Sequence, residues 1–332
     1  MTTIKIIGAA WTATQKDEPP EEGEFVFVSD PNCTSYDWLA VYDEFPRRKK
    51  NALVRNGKFP LACPQTNTIL LTLEPTSVKF YNRVYTGQFG HLLTNRPYEA
   101  ERHHHYHFGR GYYAWFIDRS YPVVRSLPSP EKTKCISAVY SAKNMRHTLH
   151  HARNELLDYL VANVKGLDRF GKGVRPITHK EDALDDYKYH LAIENHIAPG
   201  HWSEKIEDAI LCECLPFYAG DPGLGEILPP GSFIPIPIDD PPAAARIVND
   251  AIAAGEYEKR RPFILEAKRI ILEKYNFRSQ IIEVIRAAKN DTRPFPKNFE
   301  RGYLLTRKRT RLTLRGAFGD LLHHIERIFN RK

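Results

Sequence analysis

The stretch HLAIENHIAPGHWSEKIEDAILCECLPFYAG, from His190 to Gly220, sets a Glu-Asn pair at a strand end against a Glu-Lys pair at a helix start. His190 to Ile193 is an apolar run short enough for a buried parallel strand. It stops at Glu194 and Asn195, where polar groups emerge at the carboxyl end. Pro199 and Gly200 mark a loop. Ser203 caps the helix that follows, with Glu204 and Lys205 in its first turn and Ile206, Ala209 and Ile210 on one face. Acidic residues are the usual choice for a first turn. A lysine there makes sense if an anion neutralises it, and a helix N-terminus already offers unpaired amides and a positive field. Strand end and helix start together form the geometry of a phosphate-bearing ligand site.

Outward from this stretch, strands and helices alternate. Strands are expected at Ile136 to Tyr140, Leu167 to Phe170, Tyr189 to Ile193, Leu215 to Tyr218 and Phe233 to Ile236, with helices at Leu149 to Ala162, Ser203 to Leu211 and Ala243 to Ala254. Such alternation implies a mostly parallel sheet covered on both faces. The first half carries strand-like runs at Ile4 to Ile7, Phe25 to Val28 and Ile69 to Leu73, and DWLAVYDEFP (Asp37 to Pro46) reads as a further strand ending in an acidic turn. The Pro/Ser/charged stretch SLPSPEKTK (Ser126 to Lys134) is the expected junction. The expected division is therefore 1–130, 131–290, and a tail at 291–332 that starts with an extended, proline-containing link. Two such α/β domains in tandem leave a cleft between their strand ends, where folds of this kind bind ligands.

The chain has 332 residues, a formal net charge of +8 and 42% hydrophobic residues, without an uninterrupted apolar run of membrane-spanning length. Five cysteines at scattered positions argue against a disulfide framework and for a cytoplasmic, reducing setting, and Cys212-Glu213-Cys214 is only a weak metal signal. The charge favours polyanionic partners, but from Arg301 to Lys332 nine basic residues face two acidic ones, so most of the excess lies in the tail. A nucleic-acid binder would interleave basic and aromatic residues over one surface, whereas here the excess charge lies in a terminal segment. Leu314, Phe318, Leu321, Leu322, Ile325 and Ile328 form an apolar stripe among the tail's cations. Residues 301–332 then either lie on a membrane surface as an amphipathic helix, giving peripheral association, or pack on the protein.

IEN (Ile193 to Asn195), HWSEKIEDAI (His201 to Ile210), LPFYAG (Leu215 to Gly220) and GSFIPI (Gly231 to Ile236), in that order and spacing, resemble the α-1,3/4-fucosyltransferase family of glycosyltransferases, glycosyltransferase family 10. The resemblance continues through DALDDYKYH (Asp182 to His190), DRFGKG (Asp168 to Gly173) and SAKN (Ser141 to Asn144). It is thinner in the first half, at LTLEPTSVKFY (Leu71 to Tyr81) and GQFGHLLT (Gly87 to Thr94). It implies a GT-B fold, two Rossmann-like domains facing each other across a cleft: an N-terminal acceptor domain and a C-terminal GDP-fucose domain. The implied reaction is an inverting transfer of L-fucose from GDP-fucose, with no obligatory metal or other cofactor, to a hydroxyl of an oligosaccharide or lipid-linked glycan, in α-1,3 or α-1,4 linkage. A transferase of the same fold using another GDP-sugar, and a non-catalytic nucleotide- or glycan-binding module, are the alternatives.

The resemblance also implies roles for residues. Lys205 pairs with the donor diphosphate, and Glu204 accepts from the ribose hydroxyls. An arginine completes the clamp; Arg153 keeps the family's spacing to Leu160, and Arg146, nearer SAKN, is the other candidate. Glu194 and Asn195 orient donor or loop groups from the strand end. His201 stands where the family prefers tyrosine, so an imidazole donates to phosphate in place of a phenol or tunes donor preference. Tyr218 and Gly220 are further donor-side candidates, the glycine allowing close approach of the ligand. Glu74, at the exit of the strand ending at Leu73, is the candidate general base, against the plain reading of a loop acid capping a helix. His103, His104, His105 and His107 alternate in direction on an extended segment and do not converge on one ion; an acceptor-binding polar loop, with Arg110 and Tyr112 as sugar contacts, is the expected role.

Overall fold

A computed structural model of the chain describes residues 1–8, 21–46, 53–74, 79–110, 114–140 and 149–313. It divides into two compact units, 1–111 with 277–332, and 112–276. In the first, strands β1 (Thr2–Gly8), β2 (Glu21–Glu22), β3 (Phe25–Val28), β4 (Trp38–Tyr42), β6 (Thr68–Leu71), β7 (His91–Thr94) and β8 (Tyr106–Phe108) form one sheet in the order β2-β3-β1-β4-β6-β7-β8. All its pairings are parallel except β2 with β3. Parallel strands covered on both faces need apolar residues at every position, and β4 and β6 are buried from end to end. A short antiparallel pair, β5 (Lys58–Pro60) with β14 (Tyr303–Leu305), lies apart from this sheet.

The second unit holds β9 (Lys134–Val139), β10 (Leu167–Phe170), β11 (Tyr187–Ile193), β12 (Leu215–Ala219) and β13 (Ile234–Pro235), all parallel, in the order β10-β9-β11-β12-β13. Helices α1 (His150–Asn163), α2 (Glu204–Leu211), α3 (Pro241–Ala253) and α4 (Glu256–Glu273) complete it. Strand order reverses between β9 and β11. Connections leave the sheet in opposite directions there, so a crevice opens at the carboxyl ends of those two strands. One core cluster joins Leu156, Leu157 and Leu160 of α1 to the sheet, and a second packs Ile206, Ala209 and Ile210 of α2 with Trp202, Tyr218 and Ala267.

The observed division differs from the expected one at both joints. The Ser126–Lys134 stretch lies inside the second unit, because Trp115, Ile117, Tyr121 and Val124 before it are buried in the same cluster as Trp202 and Ile206. Residues 277–289 do not end that unit. They form α5 (Phe277–Lys289), which belongs to the first: Phe277 meets Tyr42 edge-on with centroids 4.9 Å apart, and the Arg278 guanidinium lies 5.0 Å from the Phe27 ring centre. Nor is the start of the tail a free link. Leu304 is fully buried, Glu300 accepts from the amides of Gln65 and Thr66, and α6 (Arg307–Arg311) sends Arg307 to the Phe80 carbonyl. The apolar stripe from Leu314 to Ile328 lies outside the described residues. Among the described residues no helix is long and apolar enough to cross a membrane, and all five cysteines are free.

α5 ties the first unit together through a fully buried aromatic ring, so Phe277→Ala removes a large buried side chain at a cost of about 3–5 kcal/mol. We expect a lower urea midpoint for the first unit, with Phe277→Leu intermediate; an unchanged midpoint contradicts this packing role.

Candidate functional site

Six of the seven residues of β11 are buried up to its carboxyl end, and Glu194 continues the strand by one more backbone bond, its amide donating to the Ala219 carbonyl at 2.8 Å. The Glu194 side chain is fully buried. Its carboxylate accepts from the Ser203 amide at 2.9 Å and from the Ser203 hydroxyl at 2.8 and 2.7 Å. Ser203 in turn caps α2 by accepting from the Lys205 amide. The loop between strand and helix closes because Gly200, at a φ of 71°, turns the chain and donates its amide to Asp221 at 2.9 Å. Strand end and helix start are thereby joined as the sequence pattern implies.

Lys205 lies in this junction. Its ammonium is 3.3 Å from Glu194, 2.9 Å from Glu204 and 3.1 Å from the Ser203 hydroxyl. Burial opposes its charge, but Glu194 and Glu204 overcome that and raise its pKa. Burial also opposes ionisation of Glu204, yet Lys205, Lys180 and the hydrogen bonds from Lys205 and Ser203 hold its carboxyl down at about 2. Glu194 differs: burial pushes its carboxyl up, with Lys205 pulling the other way. Two acids share one cation, and the less buried of them carries the firmer negative charge.

Arg153 reaches the same strand end from α1. Its guanidinium donates to the Asn195 side-chain oxygen and sits 4.9 Å from the centre of the Tyr140 ring. Arg153 is 4% exposed, and its Nε is buried without a hydrogen-bond partner. Burial lowers the guanidinium's pKa, while Tyr140, Glu194 and Glu204 favour its charge. Tyr140 holds the platform: its hydroxyl donates to the Leu191 carbonyl at 2.7 Å and accepts from the Ile193 amide at 2.5 Å. The Leu149 amide at the start of α1 donates to the Asn195 carbonyl. Two cations, two carboxylates and a helix N-terminus thus meet where strand order reverses. Such a set can hold an anion and, beside it, a hydroxyl-bearing group.

Other expected site residues are placed differently. Tyr218 is 3% exposed, packs edge-on against Phe233, and its hydroxyl accepts from the Asp221 amide. Gly220 is required by packing: a Cβ there would collide with the Tyr218 hydroxyl and with Glu194 Cγ, so the close approach is that of neighbouring side chains. His201 is 6% exposed with its ring edge-on to His196, and Trp202 beside it is wholly buried. Arg146 and SAKN lie outside the described residues.

Glu74 is half-buried in the first unit, two residues beyond Thr72, whose hydroxyl donates to that of Thr94 at 2.7 Å. Its segment is fastened by Tyr81, whose hydroxyl accepts from the Leu73 amide and donates to Asp43. Asp43 was not singled out by the sequence. It follows β4 at a φ of 70°, is 5% exposed, and binds Lys79 through both oxygens at 2.6 Å. The signal was there, an acidic residue just past an apolar strand in DWLAVYDEFP, the same signal that marked Glu74. The histidine segment is only partly buried, with Tyr106 and Phe108 exposed. His103 and His105 are buried at the amino end of β8, with the Phe295 ring 4.3 Å from that of His105. Burial drives His91 and His103 down to about 3, and His104 and His107 to about 4. Arg110 is buried and Tyr112 lies outside the described residues. Among the described residues no group of three or more His, Cys, Asp or Glu is arranged to hold a metal ion.

No family model and no curated protein matches the sequence. Solved structures do. An alpha1,3-fucosyltransferase with GDP-fucose superposes with a TM-score of 0.52 at 16% identity, covering 90% of this chain and 93% of that one. A second alpha1,3-fucosyltransferase structure gives 0.51 at 14% identity, covering 91% and 92%. Likeness at such identities is a likeness of fold, and it spans nearly the whole of both chains. The fold is GT-B, two Rossmann-like units, as in the α1,3-fucosyltransferase structures it resembles.

Proposed function

We propose that this protein is an inverting fucosyltransferase that moves L-fucose from GDP-fucose to a hydroxyl of a glycan. The observation that carries the reading is the convergence of Arg153 and Lys205 on the carboxyl end of β11, at the reversal of strand order. In this reading the diphosphate lies against the start of α2. Glu204 turns to the ribose hydroxyls, and Lys205, released from it but still steadied by Glu194, takes up the phosphate charge. Arg153, held over the Tyr140 ring, contributes the second cation from α1. Negative charge grows on the diphosphate as the sugar bond breaks, so both cations act most strongly in the transition state. Asn195 orients Arg153 and Glu194 fixes the cap. His201, where the resembled family has tyrosine, bears on the choice of sugar, and a different GDP-sugar is the nearest alternative donor.

Glu74 is the proposed base. The acceptor oxygen attacks the anomeric carbon from the face opposite the leaving group and gives its proton to Glu74, GDP departs, and the new linkage has inverted configuration. Side-chain cations supply the charge that a metal supplies elsewhere, so no cofactor is required.

Several measurements bear on this. With a panel of oligosaccharide acceptors, Glu74→Gln should lower kcat by about 10²–10⁴ while leaving GDP affinity within about twofold; near-normal turnover removes Glu74 from the mechanism. Lys205→Ala should weaken GDP binding and cost about 10²–10³ in kcat/KM. Turnover should be unchanged in excess EDTA. Thermal stabilisation by a UDP-sugar but not by GDP or GDP-fucose would overturn the donor assignment, and donor binding without transfer to any acceptor would favour a binding module.

A further inference from the structure

Of a donor nucleotide, the ribose and the diphosphate have partners in the second unit, and the base has none. Phe116 stands where one is needed. It lies in the same unit, and its backbone amide donates to Asp208 Oδ1 at 2.9 Å. Asp208 is fully buried and follows Glu204 by four residues on α2, so the two carboxylates share one face of the helix, about 6 Å apart along its axis. That spacing is comparable to the reach of a nucleoside from its ribose hydroxyls to its base.

Lys180 connects the ring to the helix. It opens the turn Lys180–Ala183, and its ammonium donates to Asp208 Oδ2 at 2.5 Å and to the Glu204 carbonyl at 3.5 Å. The same ammonium is 5.8 Å from the centre of the Phe116 ring. Two residues on, the Asp118 amide donates to Glu181 at 2.9 Å, and the Asp118 carboxylate lies 3.1 Å from His179 Nδ1. Residues 116–118 are thereby pinned to α2 at one end and to the 179–181 turn at the other. Phe116 nonetheless keeps 52% of its surface exposed, whereas Trp115 and Ile117 on either side of it are buried. A lone exposed aromatic residue is common on a protein surface. This one has a fixed backbone, a cation beside its ring, and a place one turn from the carboxylate assigned to the ribose. A nucleobase suits such a surface, because its faces stack on aromatic rings whatever the pattern of its edges.

We propose that Phe116 is the base platform of the donor site: the purine of the GDP-sugar stacks on its ring while Glu204 takes the ribose hydroxyls and Lys205 and Arg153 take the diphosphate. This rests on the donor reading above and extends it to the third part of the nucleotide. Stacking on the base is the same in the ground and transition states, so Phe116 governs the KM for the donor and leaves kcat alone.

The test compares GDP with inorganic pyrophosphate, which has no base, by calorimetry on the purified full chain. In Phe116→Ala, GDP should bind about tenfold more weakly, the loss expected on removing one stacking platform, while pyrophosphate affinity stays unchanged. Phe116→Trp should restore GDP binding, and its added indole should be quenched by GDP and not by pyrophosphate, beyond any change seen in the wild type. The Trp variant keeps an aromatic ring at a half-exposed position, so its fluorescence decides the matter if the Ala variant is destabilised. Unchanged GDP affinity in folded Phe116→Ala, an equal loss for GDP and pyrophosphate, or no GDP-dependent change in the indole of Phe116→Trp would each overturn the proposal. In all three outcomes the wild type still binds GDP. A wild type that binds no GDP overturns the donor reading itself.

Discussion

Glu194 is the constraint on which the site depends. A carboxylate with no solvent exposure costs several kcal/mol to desolvate unless its lone pairs are used, and here Ser203 and Lys205 use them. Hydrogen bonds to such a charge contribute about 1.5–3 kcal/mol each. One side chain therefore fixes the end of β11, the first turn of α2 and the position of the lysine together. The arrangement leaves Gly220 no alternative, because any side chain there would occupy the space of Glu194 Cγ and the Tyr218 ring. Helix start and strand end behave as one rigid piece, and an anion arriving there meets a surface already organised.

Much of this was legible in the sequence. The strands at Phe25–Val28 and Leu167–Phe170, the Ser203 cap, and the apolar face of Ile206, Ala209 and Ile210 come from period and capping chemistry, which act over a few residues. The junction of the two units was misread because Ser126 to Lys134 has the composition of a linker. What decides membership is where Tyr121 and Val124 are buried, and composition does not carry that information. Phe277 to Lys289 reads as one more amphipathic helix after its neighbours; only tertiary packing against Tyr42 and Phe27 assigns it to the first unit.

Within the site, Lys205 and Glu204 were readable because cap, strand and helix are close in sequence. Arg153 stands 42 residues from Asn195, and its contact required the fold. Tyr218 and Gly220 look like ligand-facing residues at a strand end, yet the Tyr218 ring turns into the core and the glycine makes room for it. The histidine segment looks uniformly polar on paper, yet Phe295 packs against His104 and His105, and Phe299 against His104, from nearly 200 residues later.

The return of α5 to the first unit affects the order in which the chain can fold during synthesis. Residues 112–276 are contiguous, and their sheet and helices are complete once they have emerged. The first unit is not: α5, Leu304 and the β14 strand that pairs with β5 come last. Until then its strands lack the helix that packs against Phe25, Phe27 and Tyr42, and Phe59 lacks its neighbour Leu304. On the ribosome, the half written second finishes first. The half written first waits with apolar surface uncovered, and the histidine cluster, closed by Asp291 and Phe295, is among the last parts of the molecule to be sealed.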